Sequence, residues 1–198
     1  MSHYFDVDPS VVSDPRRVRL VLPDLVLDLT TDRGVFARDG VDPGTKLLLM
    51  EAPLPPAQGH LLDLGCGYGP VAVTLGRRSP GATVWAVDVN RRALTLTAAN
   101  AEAAGVGNVR TVAPEAVPDD VVFAGLWSNP PVRVGKVALQ SLLQRWLDRL
   151  APEGHAWLVV HKHLGADSLA RWLGSQGFPT ERLGSRMGYR ILQVDARA

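Results

Sequence analysis

The sequence predicts a doubly wound α/β fold, in which a mostly parallel β-sheet carries helices on both faces. From residue 60 onward, short apolar segments alternate with longer segments of helical periodicity, which is the pattern of βαβ units. The first apolar segment runs into a glycine-rich loop, and the second ends at an acidic residue, Asp88. Both features are typical of open α/β sheets that bind a ligand at the carboxyl ends of their strands.

The composition is that of an ordinary globular protein. The chain has 198 residues, of which 46% are hydrophobic and 21% are charged, and its formal net charge is +1. These values argue against overall disorder and against a strong attraction of the whole molecule to nucleic acid, but they do not exclude a local basic patch.

Three observations bear on the compartment. No apolar run approaches the ~18 residues that a membrane span needs. Residues 1–9 lack the apolar segment of a secretory signal, and the single Cys66 cannot form an internal disulfide. We therefore expect a cytoplasmic protein without a membrane partner, and we take a monomer as the expected state.

The N-terminal part of the chain predicts a β-hairpin and a helix. Arg17–Leu22 and Leu25–Thr30 partly alternate in polarity around a Pro-Asp turn, as the strands of a half-buried hairpin do. Asp42 followed by Pro43 is a typical helix N-cap with proline in the first turn, so we expect a helix over Lys46–Ala52.

The rest of the chain is predicted to alternate strands and helices. The predicted strands are His60–Leu64, Thr83–Val87, Val109–Val112, Val121–Trp127, His155–Val160 and Arg190–Val194. The predicted helices are Pro70–Arg78, Arg91–Ala104, Val137–Leu150 and a segment that contains Ser168–Leu173. We expect a single domain, 1–198, made of an N-terminal hairpin extension (1–40) and a catalytic Rossmann-like core (41–198).

A glycine loop follows the first strand of this core. Glycine occupies three alternate positions, Gly65, Gly67 and Gly69, and an acid, Asp63, precedes them. Alternate glycines allow a sharp turn and a close approach of the backbone to a ligand. A dinucleotide fingerprint would need glycine at position 70, where Pro70 is suited to the first turn of a helix instead. An ammonium group suits Asp63 better than a pyrophosphate does.

Asp88 ends the next strand, 19 residues after Gly69. An acid at this place in a doubly wound sheet accepts hydrogen bonds from the hydroxyls of a ribose. S-adenosylmethionine carries both an ammonium group and a ribose. Asp63, the glycine loop and Asp88 together therefore predict S-adenosylmethionine as the cofactor. Cys66 lies inside this loop with no base near it in sequence, which favours a small buried thiol over a nucleophile.

The sequence Asn129-Pro130-Pro131 follows the fourth predicted strand of the core. The prolines lack N–H donors and stiffen the turn, and Pro130 favours an extended Asn129. The turn therefore presents two acceptors, the side-chain oxygen of Asn129 and the carbonyl of Pro130. Acceptors that hold both hydrogens of a planar amine would direct its lone pair toward an incoming methyl group. Alignment and electrostatics would then suffice for catalysis without a metal.

These motifs resemble the "methyltransferase small" group, which includes the ribosomal RNA small-subunit guanine-N2 methyltransferases. The short members with one catalytic domain are the most similar. The matching segments are His3–Phe5, Thr31–Phe36 with Asp42–Thr45, Asp63–Gly69, Asp88–Asn90, Ser128–Pro131 with Arg133, Gly135 and Lys136, Lys162 with Gly165 and Ala166, and Gly188–Arg190. The resemblance implies a seven-stranded class I methyltransferase sheet, S-adenosylmethionine, and methylation of a guanine exocyclic amine in ribosomal RNA.

The expected site has three groups of residues. The catalytic residues are Asn129, Pro130 and Pro131. The cofactor-binding residues are Asp63, Gly65, Cys66, Gly67, Gly69, Asp88, Val89, Glu115 and Asn129. The substrate-binding residues are Phe36, Val132, Arg133, Lys136 and Lys162. Glu115 stands near the place where relatives carry an acid or asparagine beside the adenine. We expect no metal site, because His161 and His163 have no third ligand nearby in sequence.

The residue after the two prolines departs from the group's pattern and leaves alternatives open. Many relatives carry an aromatic residue after the two prolines, whereas this chain has Val132, so Phe36 or Tyr68 would have to supply a ring against the base. Enzymes with this motif also methylate adenine N6 or a protein glutamine amide, but those usually have tyrosine or phenylalanine there. A non-catalytic module that binds the cofactor or RNA is the third alternative, and the intact motif around Asn129 argues against it.

Overall fold

A computed structural model describes residues 7–197, so the predicted match at His3–Phe5 lies outside the described residues. The chain forms a hairpin of β1 (Arg16–Val21) and β2 (Val26–Thr31). A second sheet contains β3 (Gln58–Leu64), β4 (Gly81–Val87), β5 (Val109–Val112), β6 (Phe123–Ser128), β7 (Leu150–His161), β8 (Thr180–Arg186) and β9 (Tyr189–Asp195). The helices are α1 (Pro43–Glu51), α2 (Pro70–Arg78), α3 (Arg91–Ala103), α4 (Lys136–Leu147) and α5 (Ala166–Ser175).

The larger sheet is doubly wound. Its strand order is β5-β4-β3-β6-β7-β9-β8, and β9 runs antiparallel to both β7 and β8 while the other neighbours are parallel. The chain moves outward from β3 in one direction through β4 and β5, and then returns to add β6 on the other side. This reversal creates a crevice at the carboxyl ends of β3 and β6, which is where ligands bind in such sheets. The predicted seven-stranded, mostly parallel fold is confirmed.

Apolar side chains on the two faces of the sheet form two separate cores. One core joins the sheet to the hairpin and to α1, α2 and α3. The other joins it to α4 and α5. Successive residues of β3 illustrate the division, because Leu61 belongs to the first core and Leu62 to the second, as the alternation of a strand requires. Helices therefore cover both faces of the sheet, as predicted.

The hairpin is not part of the larger sheet, but it is fixed against it. Leu20 and Leu29 are buried in the core that α1, α2 and α3 share. The buried side chain of Asn100, on α3, accepts a hydrogen bond from the N–H of Thr30 (2.7 Å) and donates to the carbonyls of Thr30 (2.8 Å) and Tyr68 (2.7 Å). One amide therefore links the hairpin, α3 and the glycine loop.

Sequence patterns missed β8 altogether. Its residues, Thr180–Arg186, are mostly exposed on both faces at the edge of the sheet, so no apolar alternation marks the strand. The predicted start of α1 was also three residues late, because the helix begins at Pro43, directly after its N-cap Asp42. Among the described residues, no helix is long and apolar enough to cross a membrane.

Candidate active site

A cavity of about 500 Å³ opens at the carboxyl ends of the central strands. This volume lies within the range of small-molecule sites, ~300–1,000 Å³. The cavity is lined by the glycine loop after β3, the turn after β4, the turn after β6 and the end of β7. The loop that follows the hairpin also contributes to it, through Val35 and Phe36. We call this space the wide cavity.

The glycine loop has the backbone conformation that its glycines allow. The φ angles of Gly65, Gly67 and Gly69 are +78°, +57° and +90°, a region that other residues rarely adopt. A Cβ at Gly69 would lie 2.8 Å from the side chain of Thr97, whereas a Cβ at Gly65 or Gly67 would meet no atom within 4 Å. Gly69 is thus needed for packing, and Gly65 and Gly67 leave open space beside the wide cavity that they line.

Asp88 is held at the wide cavity by two backbone donors. Its Oδ2 accepts from the N–H of Gly67 and its Oδ1 from the N–H of Asn90, both at 2.9 Å. Burial raises the pKa of this carboxyl. A third backbone donor, the N–H of Val89, also lies near this carboxylate. A carboxylate has about four lone-pair positions, so it can still accept from a ligand hydroxyl, such as one of those of a ribose.

Asp63 lies deeper than Asp88 and borders a separate pit. Its Oδ2 accepts from the N–H of Ala72 (2.8 Å) in the first turn of α2, and only 2% of the residue is exposed. Burial raises the pKa of Asp63 to about 8, and the charge of Asp88 adds to this effect. The pit measures about 30 Å³ and is also lined by Asp42 and Asn129. A positively charged ammonium group would compensate the buried carboxylate there.

Asn129 stands at the rim between the pit and the wide cavity, because it lines both. The preceding residue, Ser128, donates a hydrogen bond from Oγ to the carbonyl of Leu64 (2.7 Å), which fixes the end of β6 against the end of β3. The Nδ2 of Asn129 donates to Oδ2 of Asp42 (2.9 Å) and to Oγ1 of Thr45 (3.1 Å). No donor from residues 7–197 bonds to its Oδ1, so this oxygen is available to a ligand.

The two prolines form a tight turn, as predicted. The carbonyl of Pro130 accepts from the N–H of Val132 (2.8 Å), and Pro131 has the dihedral angles of an inverse γ-turn, φ −74° and ψ 68°. The predicted role of the Pro130 carbonyl therefore has to use its second lone pair. Both prolines and Val132 line the wide cavity.

Most of the other predicted site residues lie around these two spaces. Val89, Phe36 and Arg133 line the wide cavity, and Cys66 lines the pit. Burial raises the pKa of the Cys66 thiol well above its ordinary value, which agrees with a structural thiol. Glu115 is exposed and lines neither space, although its neighbour Pro114 lines the wide cavity. Lys136 and Lys162 are exposed outside both spaces, so their roles stay predictions.

The structure corrects one expectation about the substrate. Tyr68 was a candidate ring for stacking on a base, but only 2% of it is exposed and its hydroxyl donates to the carbonyl of Gly40. Its ring packs in the core beneath the glycine loop, because the residues around it are apolar and close. Phe36, which is 39% exposed at the wide cavity, is the remaining candidate.

Among the residues that sequence reasoning did not assign to the site, Asp42, His161 and Tyr189 line the wide cavity. The rings of His161 and Tyr189 stand perpendicular at 5.0 Å, on neighbouring strands β7 and β9. Asp42 lies in one of the segments that resemble the family, but the only role predicted for its side chain is the N-cap of α1. It has that role too, since it accepts from the N–H of Thr45 at 2.8 Å. Among residues 7–197, no three His, Cys, Asp or Glu side chains are grouped as a metal site would require.

Known proteins that are similar to this chain identify its fold and its family. A Thermus thermophilus 16S rRNA N2 G1207 methyltransferase (RsmC), solved with AdoMet and guanosine, has the same fold: TM-score 0.77 at 24% identity, over 96% of this chain and 52% of that one. The fold is thus that of class I methyltransferases. The methyltransferase small domain model matches residues 26–193, so the chain belongs to this family. The family takes its methyl group from S-adenosylmethionine, which is therefore the cofactor.

Two relatives with known sequences indicate how far the similarity extends. An uncharacterized Bacillus subtilis protein, YbxB, is 32% identical over 195 residues, which is 97% of both chains. A ribosomal RNA small subunit methyltransferase C of Shewanella amazonensis is 31% identical over 163 residues, or 80% of this chain. The matched region is 47% of that relative, so this chain spans about half the length of such enzymes.

The residues present fit S-adenosylmethionine. Asp63 and the pit offer a place for its ammonium group, the two accepting oxygens of Asp88 suit its ribose, and the open space at Gly65 and Gly67 allows close approach. Val89, which is 43% exposed, gives an apolar surface next to Asp88 for a flat ring such as adenine. When bound, this cofactor supplies an electrophilic methyl group on a sulfonium.

Proposed function

We propose that this chain methylates the exocyclic N2 amine of a guanine in small-subunit ribosomal RNA. The observation that carries the proposal is the fixed amide of Asn129, whose Nδ2 is held by Asp42 and Thr45 while its Oδ1 is left as an acceptor at the rim of the wide cavity. A planar amine with two hydrogens is the group that such an acceptor, paired with a backbone carbonyl, would hold.

The chain's own residues would act by alignment. Oδ1 of Asn129 accepts one amine hydrogen, and the carbonyl of Pro130 accepts the other through its second lone pair. These bonds draw the nitrogen out of conjugation with the base and turn its lone pair toward the cofactor side of the cavity. The nitrogen would gain the methyl group as the C–S bond of the sulfonium breaks and leaves a neutral thioether. It would then give one proton to solvent, so no strongly basic side chain is required.

Three features favour a guanine in RNA over the other amines that this motif can serve. Val132 is aliphatic, unlike the tyrosine or phenylalanine expected after the prolines in enzymes for adenine N6 or glutamine amides. Phe36 offers an exposed ring at the wide cavity, and Arg133 places a guanidinium at its mouth. The similarity to ribosomal RNA small subunit methyltransferase C, at 31% identity, supports the same acceptor.

An assay that identifies which molecule accepts a labelled methyl group tests the proposal. The protein is incubated with methyl-labelled S-adenosylmethionine and, separately, purified small-subunit ribosomal RNA, assembled small subunits and a total protein extract without ribosomes. We expect label in RNA with the native chain and about 10²–10³-fold less with Asn129→Ala, as for one lost preorganised partner. Label in the protein extract alone, or equal turnover by Asn129→Ala, would refute the proposal.

A further inference from the structure

The geometry points to Asp42 and Thr45 as positioning residues that set which end of the Asn129 amide faces the substrate. This inference rests on the proposed role of Asn129. It goes beyond that role because it assigns a catalytic purpose to residues that lie more than 80 positions earlier in the chain. Neither of them has to touch the substrate.

An asparagine side chain by itself does not choose between its two ends. The oxygen and the NH₂ group have nearly the same shape, and only the oxygen can accept a hydrogen from an amine. A flipped Asn129 would present two donors to a substrate that also carries two donors, and binding would fail. The orientation of this amide is therefore a condition for the proposed reaction.

Asp42 and Thr45 remove this ambiguity. The carboxylate of Asp42 has only acceptors, so the group that faces its Oδ2 at 2.9 Å has to be the NH₂ end of Asn129. Oγ1 of Thr45, at 3.1 Å, accepts from the same nitrogen. A flipped amide would place its oxygen against the carboxylate, which is repulsive in a site of low polarity. Donation to a charged acceptor also polarises the amide, which makes the opposite oxygen a stronger acceptor.

The two residues are themselves held firmly. Oδ2 of Asp42 also accepts from the N–H of Thr45 (2.8 Å), so it caps α1 and holds Asn129 with the same oxygen. Thr45 is buried. Between them, Gly44 has no room for a side chain, because a Cβ would lie 2.6 Å from the ring of Tyr189 and 2.9 Å from Oδ2 of Asp42. The start of α1 is thus packed between Tyr189 and Asn129.

A double-mutant cycle separates this role from a merely structural one. Asp42→Ser keeps a good helix cap but is too short to reach Asn129. Turnover is measured at saturating S-adenosylmethionine, on whichever acceptor takes the label, and urea unfolding checks that each variant folds. We expect Asp42→Ser to lower turnover at least ~10-fold when residue 129 is asparagine, since the amide is then free to flip.

In the Asn129→Asp background, we expect Asp42→Ser to raise turnover instead of lowering it. There the carboxylate of Asp42 faces a second carboxylate, so adding Asp42→Ser relieves the repulsion and raises turnover above that of Asn129→Asp alone. A residue that only caps α1, or only contacts the cofactor, would lower turnover in both backgrounds. The same sign in both backgrounds, or no turnover in the double variant, would overturn the inference.

A second pair of variants covers the case in which Asp42→Ser does not fold. Thr45→Val removes one acceptor with little change of shape, and Thr45→Ser keeps it. We expect several-fold lower turnover for Thr45→Val and nearly native turnover for Thr45→Ser, and equal values would contradict the inference.

The outcomes also separate the two proposals. Full activity of Asn129→Ala refutes the proposed function, whereas its loss together with a harmless Thr45→Val refutes only the positioning role.

Discussion

Asp63 is a carboxylate that the fold buries with one backbone partner, and this makes stability depend on pH. Because burial raises its pKa to about 8, from 3.8 in an unfolded chain, the folded protein holds a proton that the unfolded chain releases. The contribution is fully present below about pH 4 and is lost as the pH rises through about 8. The free energy of unfolding of the ligand-free protein should therefore fall over this interval.

Urea unfolding of the ligand-free protein across this pH range measures the effect. Asp63→Asn cannot ionise but still accepts from Ala72, so its stability should fall less steeply between pH 5 and pH 8. Asp119→Asn, at an exposed carboxylate, is the matched control and should follow the native curve. If the curves of Asp63→Asn and the native chain were parallel, Asp63 would not be the group responsible.

Asp88 offers a second test, through the affinity for the cofactor. Asp88→Ala removes both oxygens that are expected to accept from the ribose, so S-adenosylmethionine should bind more weakly by about 2–4 kcal/mol. Titration calorimetry measures the change, with Asp119→Ala as the control for the loss of one negative charge. Unchanged affinity in Asp88→Ala would remove this residue from the cofactor site.

The predicted residues that line the two spaces are those whose role follows from the residues next to them in sequence. Asp63, the glycines and Asp88 lie at strand ends, where the alternation of strand and loop marks the ligand-binding edge. Asp42 was not predicted as a site residue because its partner, Asn129, is 87 residues away in the sequence. Its place before Pro43 was also fully accounted for by its role as a helix cap. Tyr68 was wrongly expected at the cavity because position in a loop does not tell which face of the loop is buried.

At the level of the helices and strands, Asn100 connects the hairpin to the glycine loop of the site. Its amide bonds to Thr30 and to the carbonyl of Tyr68 in the glycine loop. Asn100→Ala removes three hydrogen bonds and leaves the part-buried N–H of Thr30 without this partner, so we expect a loss of about 1–3 kcal/mol in the free energy of unfolding. We also expect weaker binding of S-adenosylmethionine, because the glycine loop loses a support.

Denaturant unfolding and cofactor titration check both effects of Asn100→Ala. Thr95→Ala on the same helix is the control, because the hydroxyl of Thr95 is exposed and bonds only within α3. A native-like stability of Asn100→Ala would mean that other contacts are enough to hold the hairpin, namely its apolar core and the ion pair between Asp24 and Arg78. If stability fell and cofactor affinity did not, the glycine loop would be independent of the hairpin.

The elements differ in how well their patterns predict them. The strands β3, β4, β6, β7 and β9 were located because their buried residues form apolar runs. The short strand β5 was also located, although none of its residues is fully buried. The edge strand β8 was not, because an edge strand with polar residues on both faces has the composition of a loop. Only pairing with β9 makes Thr180–Arg186 a strand, and pairing is a tertiary property that a single segment does not show.

The whole molecule has a net charge of +1, so an interaction with RNA has to come from a local patch. Arg133 and Lys136 are exposed beside the wide cavity and at the start of α4. We expect Arg133→Glu with Lys136→Glu to weaken RNA binding and to reduce its salt dependence by about 0.7–0.9 in the log–log slope per lost phosphate contact. Cofactor affinity should not change.

The matched control reverses two exposed arginines that line neither the wide cavity nor the pit, Arg77→Glu with Arg171→Glu. It changes the net charge by the same amount. Filter binding at several salt concentrations distinguishes the two double variants. Equal loss of RNA affinity in both would indicate an effect of overall charge, and no loss at Arg133 and Lys136 would move the RNA-binding surface elsewhere.

The identity of the methylated nucleoside tests directly whether the acceptor is the N2 amine of guanine. Small-subunit ribosomal RNA, labelled by the protein with methyl-labelled S-adenosylmethionine, is digested to nucleosides and separated by liquid chromatography with mass detection. We expect the label in N2-methylguanosine. Label in N6-methyladenosine would contradict the assignment of guanine as the acceptor. So would label in a methylated glutamine when the sample is an assembled small subunit, which contains ribosomal protein.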